Sequence, residues 1–266
     1  MRWQTDDTDK EPAINRIMQC LWAILVAVCA TQVAHAAPSI NVAVAANFAA
    51  PLQKLLPEFE AASGINVRVS VGSSGALFAQ IQHGAPYDLF LSADSKRPQA
   101  LVASGRVMAS AVQTYAVGHL ALVGNIDGLS DPRLTAAGTR VAIAEPDIAP
   151  YGRAAKQLLE QAGLWEKIAP GLIRGTNIQQ TLQFWQTGNV DVAFIAASQC
   201  VTYQLTCQTL PDSYAPIIQQ LAVTGQGESA VAAEKLAAFL RSPKVQSQLA
   251  KAGYAPLASG PAEGSR

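Results

Sequence analysis

The sequence predicts an α/β protein built from two lobes. Segments rich in β-branched residues alternate along the chain with segments whose apolar residues recur at helical spacing. This alternation favours mixed, mainly parallel sheets that are flanked by helices. Of the 266 residues, 50% are hydrophobic and only 14% are charged. Single hydrophobic cores stop growing near this chain length, so we expect two lobes rather than one large sheet.

The first half of the chain shows the alternation most clearly. β-Branched, alternating segments predict strands, and apolar residues at helical spacing predict the helices between them. Gly64 is a helix stop, whereas Pro57 lies inside the first helix and should kink it or delay its start. The predicted elements are a strand over 40–45, a helix over 48–63, a strand over 65–71, a helix over 76–83, a strand over 88–91 and a helix over 95–104.

The second half continues in the same way. The predicted elements are strands over 116–123 and 140–144, a helix over 150–162, an extended segment over 171–175, a helix over 178–186, strands over 191–195 and 217–223, and helices over 229–240 and 243–252. We expect the chain to cross between lobes near residues 114–118 and 214–219. Lobe 1 then comprises residues 37–116 plus 218–266 and is discontinuous, and lobe 2 comprises residues 117–217.

The N-terminal segment has the pattern of an export signal. A short apolar run over residues 20–30 is followed by Ala34-His35-Ala36, which is the small-x-small pattern that signal peptidases accept. A membrane anchor is the alternative, but a spanning helix needs about 20 apolar residues and this run is shorter. We therefore predict a signal peptide over residues 1–36, cleavage near Ala36 and a periplasmic mature protein.

Four cysteines divide into two pairs. Cys20 and Cys29 lie in the predicted signal peptide, and Cys200 and Cys207 remain in the mature chain. An even pair in an exported protein suggests a disulfide that closes a small loop. Two reduced, partly buried thiols are the alternative. A metal site is not expected there, because no histidine lies nearby.

Four predicted helices begin directly after predicted strands, and their starts are chemically similar. Asn47 and Ser74 are expected to be N-caps, Pro150 suits a first helical turn, and Thr176 or Asn177 is expected to cap the fourth helix. A helix start carries unpaired backbone N–H groups and about half a positive charge. Each residue alone is an ordinary cap or turn. Together, four such starts at one cleft would hold an anion without Lys or Arg.

Composition and residue types argue against two function classes. The 19 basic and 19 acidic residues cancel, whereas a nucleic-acid binder needs a surplus of Lys and Arg. Catalysis has little support, because His35 falls in the predicted signal peptide and His83 and His119 are isolated. Gly72-Ser-Ser-Gly75 is not the Gly-x-Ser-x-Gly turn of hydrolases. We expect neither an enzyme nor a cofactor.

Five segments carry a resemblance to the periplasmic molybdate-binding proteins of ABC transporters. The resemblance extends from about residue 39 to residue 254. The segments are Val44-Ala-Ala-Asn-Phe48, Gly72-Ser-Ser-Gly75, His83-Gly-Ala-Pro-Tyr-Asp88-Leu-Phe-Leu-Ser-Ala-Asp94, Ala149-Pro-Tyr-Gly152 and Phe194-Ile-Ala-Ala-Ser-Gln199.

This resemblance implies a type II-like periplasmic-binding-protein fold with a hinged cleft. It also implies a monomeric receptor that binds molybdate or tungstate and delivers it to an ABC permease, without catalysis. The implied ligands contact the oxyanion oxygens and not the metal; they are Ala46, Asn47, Ser74, Tyr151 and Ile178.

Two residues depart from the pattern. Some relatives have Ser or Thr where this chain has Ala46, and others place a Tyr hydroxyl at the position of Ala196. The pocket is therefore expected to have fewer side-chain donors, unless Tyr151 compensates.

Three alternative functions follow from the same residues. One is a receptor for another tetrahedral oxyanion such as sulfate, thiosulfate or phosphate. A second, of a different class, is a secreted serine hydrolase that uses Ser74. A third is a dicarboxylate or amino-acid receptor, which usually needs an arginine clamp. Arg153 and Arg174 are the only arginines close to the predicted helix starts.

Overall fold

The computed structural model describes residues 38–257, and the predicted signal peptide over residues 1–36 lies outside them. The described part of the chain forms ten strands in two sheets. In chain order the strands are β1 Ser39–Ala45, β2 Asn66–Gly72, β3 Leu89–Leu91, β4 Val112–Gly118, β5 Leu120–Gly124, β6 Val141–Ala144, β7 Ile173–Gly175, β8 Val192–Ala196, β9 Cys207–Thr209 and β10 Ile217–Val223.

The same residues form nine α-helices, which we number separately. They are α1 Ala49–Ser63, α2 Ser74–Gln82, α3 Lys96–Ala103, α4 Pro150–Gln161, α5 Trp165–Ile168, α6 Ile178–Gln186, α7 Ala197–Thr202, α8 Gly227–Arg241 and α9 Pro243–Lys251. Pro57 does not delay the first helix, because α1 begins at Ala49 and includes this proline.

Both sheets are built on the same plan. The first has the strand order β2-β1-β3-β10-β4 and the second β7-β6-β8-β5-β9. In each sheet three neighbouring strands pair in parallel. A fourth strand, β10 or β5, pairs antiparallel with the edge of this group, and the fifth, β4 or β9, pairs antiparallel with the fourth. The predicted α/β class with helix-flanked mixed sheets is confirmed. More strand pairs are antiparallel than the sequence predicts. The reason is that β5 and β10 each enter a sheet where the chain passes from the other sheet, without the preceding crossover helix that parallel pairing requires.

The passage between the sheets falls inside a segment that the sequence predicts as one strand. That prediction, a single strand over residues 116–123, is wrong. β4 ends at Gly118 in the first sheet, His119 separates the two, and β5 begins at Leu120 in the second sheet. The apolar pattern continues through the passage because β4 and β5 are both largely buried. Periodicity therefore gives no sign of the change of sheet.

Each sheet has its own apolar core under its helices. In the first, the fully buried ring of Phe48 packs edge-on against Tyr115 and Tyr254, with ring centroids 4.8 and 5.6 Å apart. In the second, Leu182 and Ile195 are fully buried between α6 and the sheet. Burying side chains of this size contributes about 1.5–3 kcal/mol each. These cores hold the strand ends and the helix starts in fixed positions.

The sequence did not predict α5, α7 or β9, which have three to six residues each. Short elements such as these depend on tertiary pairing more than on local preference. β9, for example, pairs with β5 and begins at Cys207, which forms a disulfide with Cys200. Within residues 38–257, no helix has both the length and the apolar character that crossing a membrane requires.

The disulfide should contribute measurably to stability. Its sequence separation is 7, and closing so short a loop is worth about 2–3 kcal/mol. Replacing both residues, Cys200→Ser with Cys207→Ser, should lower the free energy of unfolding by that amount in urea titrations. A reducing agent should destabilise the unmodified protein and leave the double variant unaffected. Equal stability of the double variant and the unreduced, unmodified protein would contradict this expectation.

Candidate functional site

A small cavity lies where four helix starts meet. Its volume is ≈10 Å³, against ≈620 Å³ for the neighbouring groove, so little free space remains between the helix starts. Its lining contains no charged side chain among the described residues. The lining residues are Ala45, Ala46, Asn47, Ser73, Ser74, Ala93, Ala149, Pro150, Tyr151, Asn177 and Ile178.

The fold explains why these helix starts converge. Asn47 follows β1 and Ser74 follows β2 in the first sheet, whereas Tyr151 comes after β6 and Ile178 after β7 in the second. In each sheet these strands are parallel neighbours, so their carboxyl ends share an edge. The two edges face each other across the cavity. The structure thus brings together all five residues that the resemblance implies, since Ala46 also lines the cavity.

Backbone N–H groups at these positions have no acceptor among the described residues. This holds for the N–H groups of Asn47, Ser74, Tyr151 and Ile178. Unpaired N–H groups are normal in a first helical turn, and the helix dipoles add positive potential at the same place. Neutral groups at this cavity therefore supply the donors and the positive potential that suit an anion.

Ser74 is not the N-cap that the sequence predicts. Ser73 holds that position, and its hydroxyl accepts a hydrogen bond from the Ala76 N–H at 3.3 Å. Ser74 is the first residue of α2, and its fully buried hydroxyl accepts from the Ala93 N–H at 2.8 Å. Because that bond occupies a lone pair of Oγ, the Ser74 hydroxyl proton remains available to donate to a ligand.

The prediction that Asn47 is an N-cap is also wrong. Phe48 occupies the N-cap position of α1 and makes no side-chain cap bond. The Asn47 amide turns away from the helix and donates to Gln219 Oε1 at 3.0 Å, Tyr254 OH at 3.3 Å and Tyr151 OH at 3.5 Å. Its side-chain donor is thus committed to protein partners, and its backbone N–H remains free. Asn177 does cap α6, as one of the two predicted alternatives.

Two alanines contribute no donor to the cavity. Ala46 lines it, but its N–H donates to the Gly72 carbonyl at 2.9 Å and its methyl group cannot donate. Ala46 therefore forms only part of the wall, whereas the resemblance implies a ligand. Ala196 is fully buried at the end of β8, and its N–H donates to Gln199 Oε1 at 3.0 Å.

Sequence reasoning missed the buried polar residues behind the cavity. Tyr115, Gln219 and Tyr254 hydrogen-bond there, and none was singled out from the sequence. Burial raises the pKa of Tyr115, Tyr151 and Tyr254 well above the usual value, so these hydroxyls stay neutral at ordinary pH. A weak signal existed for Gln219, because two adjacent glutamines, Gln219 and Gln220, interrupt an otherwise apolar strand.

Charged groups beside the cavity form ion pairs, and Arg153 and Arg97 make contacts between the two halves. Asp94 forms a buried ion pair with Arg97, and Arg153 from α4 approaches the same carboxylate at 3.5 Å. The Arg97 guanidinium also donates to the Asp147 carbonyl at 3.0 Å. Arg174 pairs with Glu145. Neither Arg153 nor Arg174 lines the cavity, so the arginine clamp of a dicarboxylate receptor is not formed there.

Gly75 permits the close approach of the two halves. Its N–H donates to the Ile148 carbonyl at 2.9 Å. A Cβ atom at this position would lie 2.8 Å from Ile148 Cα and 2.7 Å from Arg97 Nη2, which is closer than packing allows. No cluster of His, Cys, Asp or Glu within residues 38–257 is suited to hold a metal ion.

The chain is similar to known proteins in sequence and in fold. The family described as bacterial extracellular solute-binding protein matches residues 40–255. The chain is 36% identical over 251 residues to the molybdate-binding protein ModA of Azotobacter vinelandii, covering 91% of this chain and 98% of that protein. It is 35% identical to ModA of Rhodobacter capsulatus, covering 82% and 89%. The structure of the Azotobacter vinelandii periplasmic molybdate-binding protein matches with a TM-score of 0.75 at 32% identity, covering 81% and 98%.

The buried ion pair beside the cavity should be costly to break. Arg97→Met leaves the Asp94 carboxylate, whose side chain is 9% exposed, without its main partner, and such losses cost about 3–5 kcal/mol. Arg174→Met is the matched control, because its pair with Glu145 is 43% and 29% exposed and should contribute less than about 1 kcal/mol. Urea unfolding measures both. Equal effects of the two substitutions would contradict the assignment.

Proposed function

Because the chain belongs to the bacterial extracellular solute-binding proteins, we propose that it is a periplasmic receptor for molybdate, and for tungstate, that delivers the oxyanion to an ABC permease. The observation that carries this proposal is the set of unpaired N–H groups around a cavity without charged side chains. A dianion suits such a site, since the unpaired N–H groups in its lining can donate and the lining contains no carboxylate that would repel it.

The proposed ligands come in two pairs from opposite sides of the cleft. The backbone N–H groups of Asn47 and Ser74 belong to the first sheet's side, and those of Tyr151 and Ile178 belong to the second. The Ser74 hydroxyl adds a fifth donor. A ligand that bridges both sides binds the closed state better than the open one, and this difference in affinity drives closure.

Selectivity would follow from the fixed spacing of these donors. Tetrahedral oxyanions differ mainly in the length of the bond from the central atom to oxygen. A ring of backbone donors held by two cores cannot contract around a smaller anion such as sulfate. Each hydrogen bond left too long costs on the order of 1–3 kcal/mol, so the smaller anion binds more weakly.

Several finer features belong to the same proposal. Residues 1–36 would direct export and be removed near Ala36. The two lobes would follow the two sheets, so the first would include β4 up to Gly118 and β10 from Ile217, one or two residues beyond the predicted division into 37–116 with 218–266 and 117–217. The protein would act as a monomer, because one chain supplies all four helix starts. It would not bind nucleic acid, because the chain carries no surplus of basic residues.

A serine hydrolase is not favoured. The Ser74 hydroxyl bonds to a backbone N–H, and no His or carboxylate among the described residues lies within hydrogen-bond reach of it as a base. Two similar proteins, from Azotobacter vinelandii and Rhodobacter capsulatus, are named as molybdate-binding proteins. The proposed function therefore involves no catalysis and no cofactor, and molybdate is cargo.

Calorimetric titration of the purified protein tests the proposal directly. Molybdate and tungstate should each bind at one site per chain, and sulfate should bind at least about tenfold more weakly, as expected if one hydrogen bond is lost. Sulfate that binds as tightly as molybdate would instead identify a general oxyanion receptor. Absence of heat with all three anions would refute the proposal.

The Ser74 hydroxyl should contribute to affinity independently of the backbone donors. Ser74→Ala keeps the N–H and removes one hydrogen bond to a charged ligand, which is worth about 1.5–3 kcal/mol. The molybdate Kd should rise about 10- to 150-fold. Ser95→Ala is the matched control, because Ser95 precedes α3 without a side-chain cap bond and lies outside the cavity lining. Unchanged affinity of Ser74→Ala would remove Ser74 from the ligand set.

A further inference from the structure

Five polar side chains form a buried cluster behind the cavity, and we call it the amide hub. None is more than 4% exposed. The members of the amide hub are Asn47, Tyr115, Tyr151, Gln219 and Tyr254.

Gln219 lies at the centre of the amide hub. Its Oε1 accepts from Asn47 Nδ2 and from the Tyr115 hydroxyl, both at 3.0 Å, and its Nε2 donates to the Tyr151 hydroxyl at 3.2 Å. The register of β10 against β4 shifts between Gln219 and Gln220. Such a bulge redirects a side chain within a strand. The fully buried Gln219 amide therefore faces donors at one end and an acceptor at the other.

The Tyr151 hydroxyl joins the two halves of the protein at the hub. Tyr151 belongs to α4, which packs on β6 and β8 of the second sheet, whereas Gln219 and Tyr115 belong to strands of the first. Gly118, the last residue of β4 before the passage between sheets, leaves room for this contact. A Cβ atom there would lie 2.7 Å from Gln219 Nε2 and would overlap the Tyr151 hydroxyl.

Two members of the hub are also proposed ligands. Asn47 and Tyr151 offer backbone N–H groups to the cavity while their side chains bond in the hub. Opening the cleft would withdraw the Tyr151 hydroxyl and leave Gln219 Nε2 buried without its acceptor. Unmade hydrogen bonds of buried groups are unfavourable, so the hub stabilises the closed arrangement in which both N–H groups face the anion.

We propose that Gln219 is a positioning residue that acts through Asn47 and the Tyr151 hydroxyl and couples closure of the two halves to oxyanion capture. This inference rests on the proposed function. It assigns no contact with the anion to Gln219, and it gives the Tyr151 side chain a role separate from that of the Tyr151 backbone.

Two single variants and their combination test the coupling. Tyr151→Phe removes the hydroxyl oxygen and keeps the backbone N–H. Gln219→Met keeps the length of the side chain and removes its amide group. Each should raise the molybdate Kd about 5- to 150-fold, the usual range for coupling between sites. The double variant should bind no more weakly than the weaker single variant, because both changes disrupt one unit. Small-angle X-ray scattering should show less compaction on adding molybdate in all three.

Gln220→Met is the matched control, because this neighbouring amide bonds with Gln99 and Thr114 outside the hub. It should keep the affinity and the compaction of the unmodified protein. A merely structural role for Gln219 would lower the free energy of unfolding and leave the Kd and the compaction unchanged, which would overturn the inference. Additive effects in the double variant would overturn it as well.

The outcomes separate this inference from the proposed function. If the unmodified protein binds molybdate and the hub variants bind it equally well, only the inference fails. If the unmodified protein binds no molybdate, both fail. Tyr151→Phe loses a single oxygen from a residue that otherwise keeps its packing, so it provides the test even if Gln219→Met does not fold.

Discussion

A small anion enclosed away from water must be surrounded by donors, and this requirement governs the rest of the structure. Full desolvation of a charge is expensive unless hydrogen bonds replace the lost water. The cavity meets the requirement with the starts of helices that follow β1, β2, β6 and β7. Because each half supplies two of these starts, neither half alone encloses a ligand. The paired sheets, the passage at His119 and the cleft contacts all serve to bring the two edges together.

The charge balance of the chain is consistent with this design. A surface patch of Lys and Arg would attract many anions, whereas backbone donors in an enclosed cavity discriminate by size and shape. The nearest charged groups, Asp94, Arg97 and Arg153, neutralise one another in part and hold the two halves together. Their position beside the cavity and outside its lining keeps a carboxylate away from the proposed anion.

Local sequence signals predict most strands, most helices and the approximate places of the four helix starts, because these depend on periodicity and on residues such as Gly64 and Asn177. They fail where two adjacent residues have similar chemistry. Ser73 and Ser74 are both competent caps, and only the contact between Ser74 and the distant Ala93 N–H decides between them. The Asn47 side chain likewise does not cap the helix, because it hydrogen-bonds to Tyr151 and Gln219, which lie more than 100 residues away in the sequence. Gln219 was missed because its role exists only in the folded protein.

Ala46 and Ala196 have no side-chain hydroxyl, and this indicates which groups would determine the selectivity between anions. Neither residue provides a free donor, so the proposed site depends on backbone N–H groups and on Ser74. Backbone donors are independent of side-chain identity but sensitive to the relative position of the helices. Glycines that allow two segments to approach closely are then as important for the geometry of the site as the residues that donate to the anion. Gly75 lets α2 meet the Ile148 carbonyl, and Gly118 lets the Tyr151 hydroxyl reach Gln219. Selectivity in such a receptor is therefore set by how precisely two cores and two glycines position the helix starts.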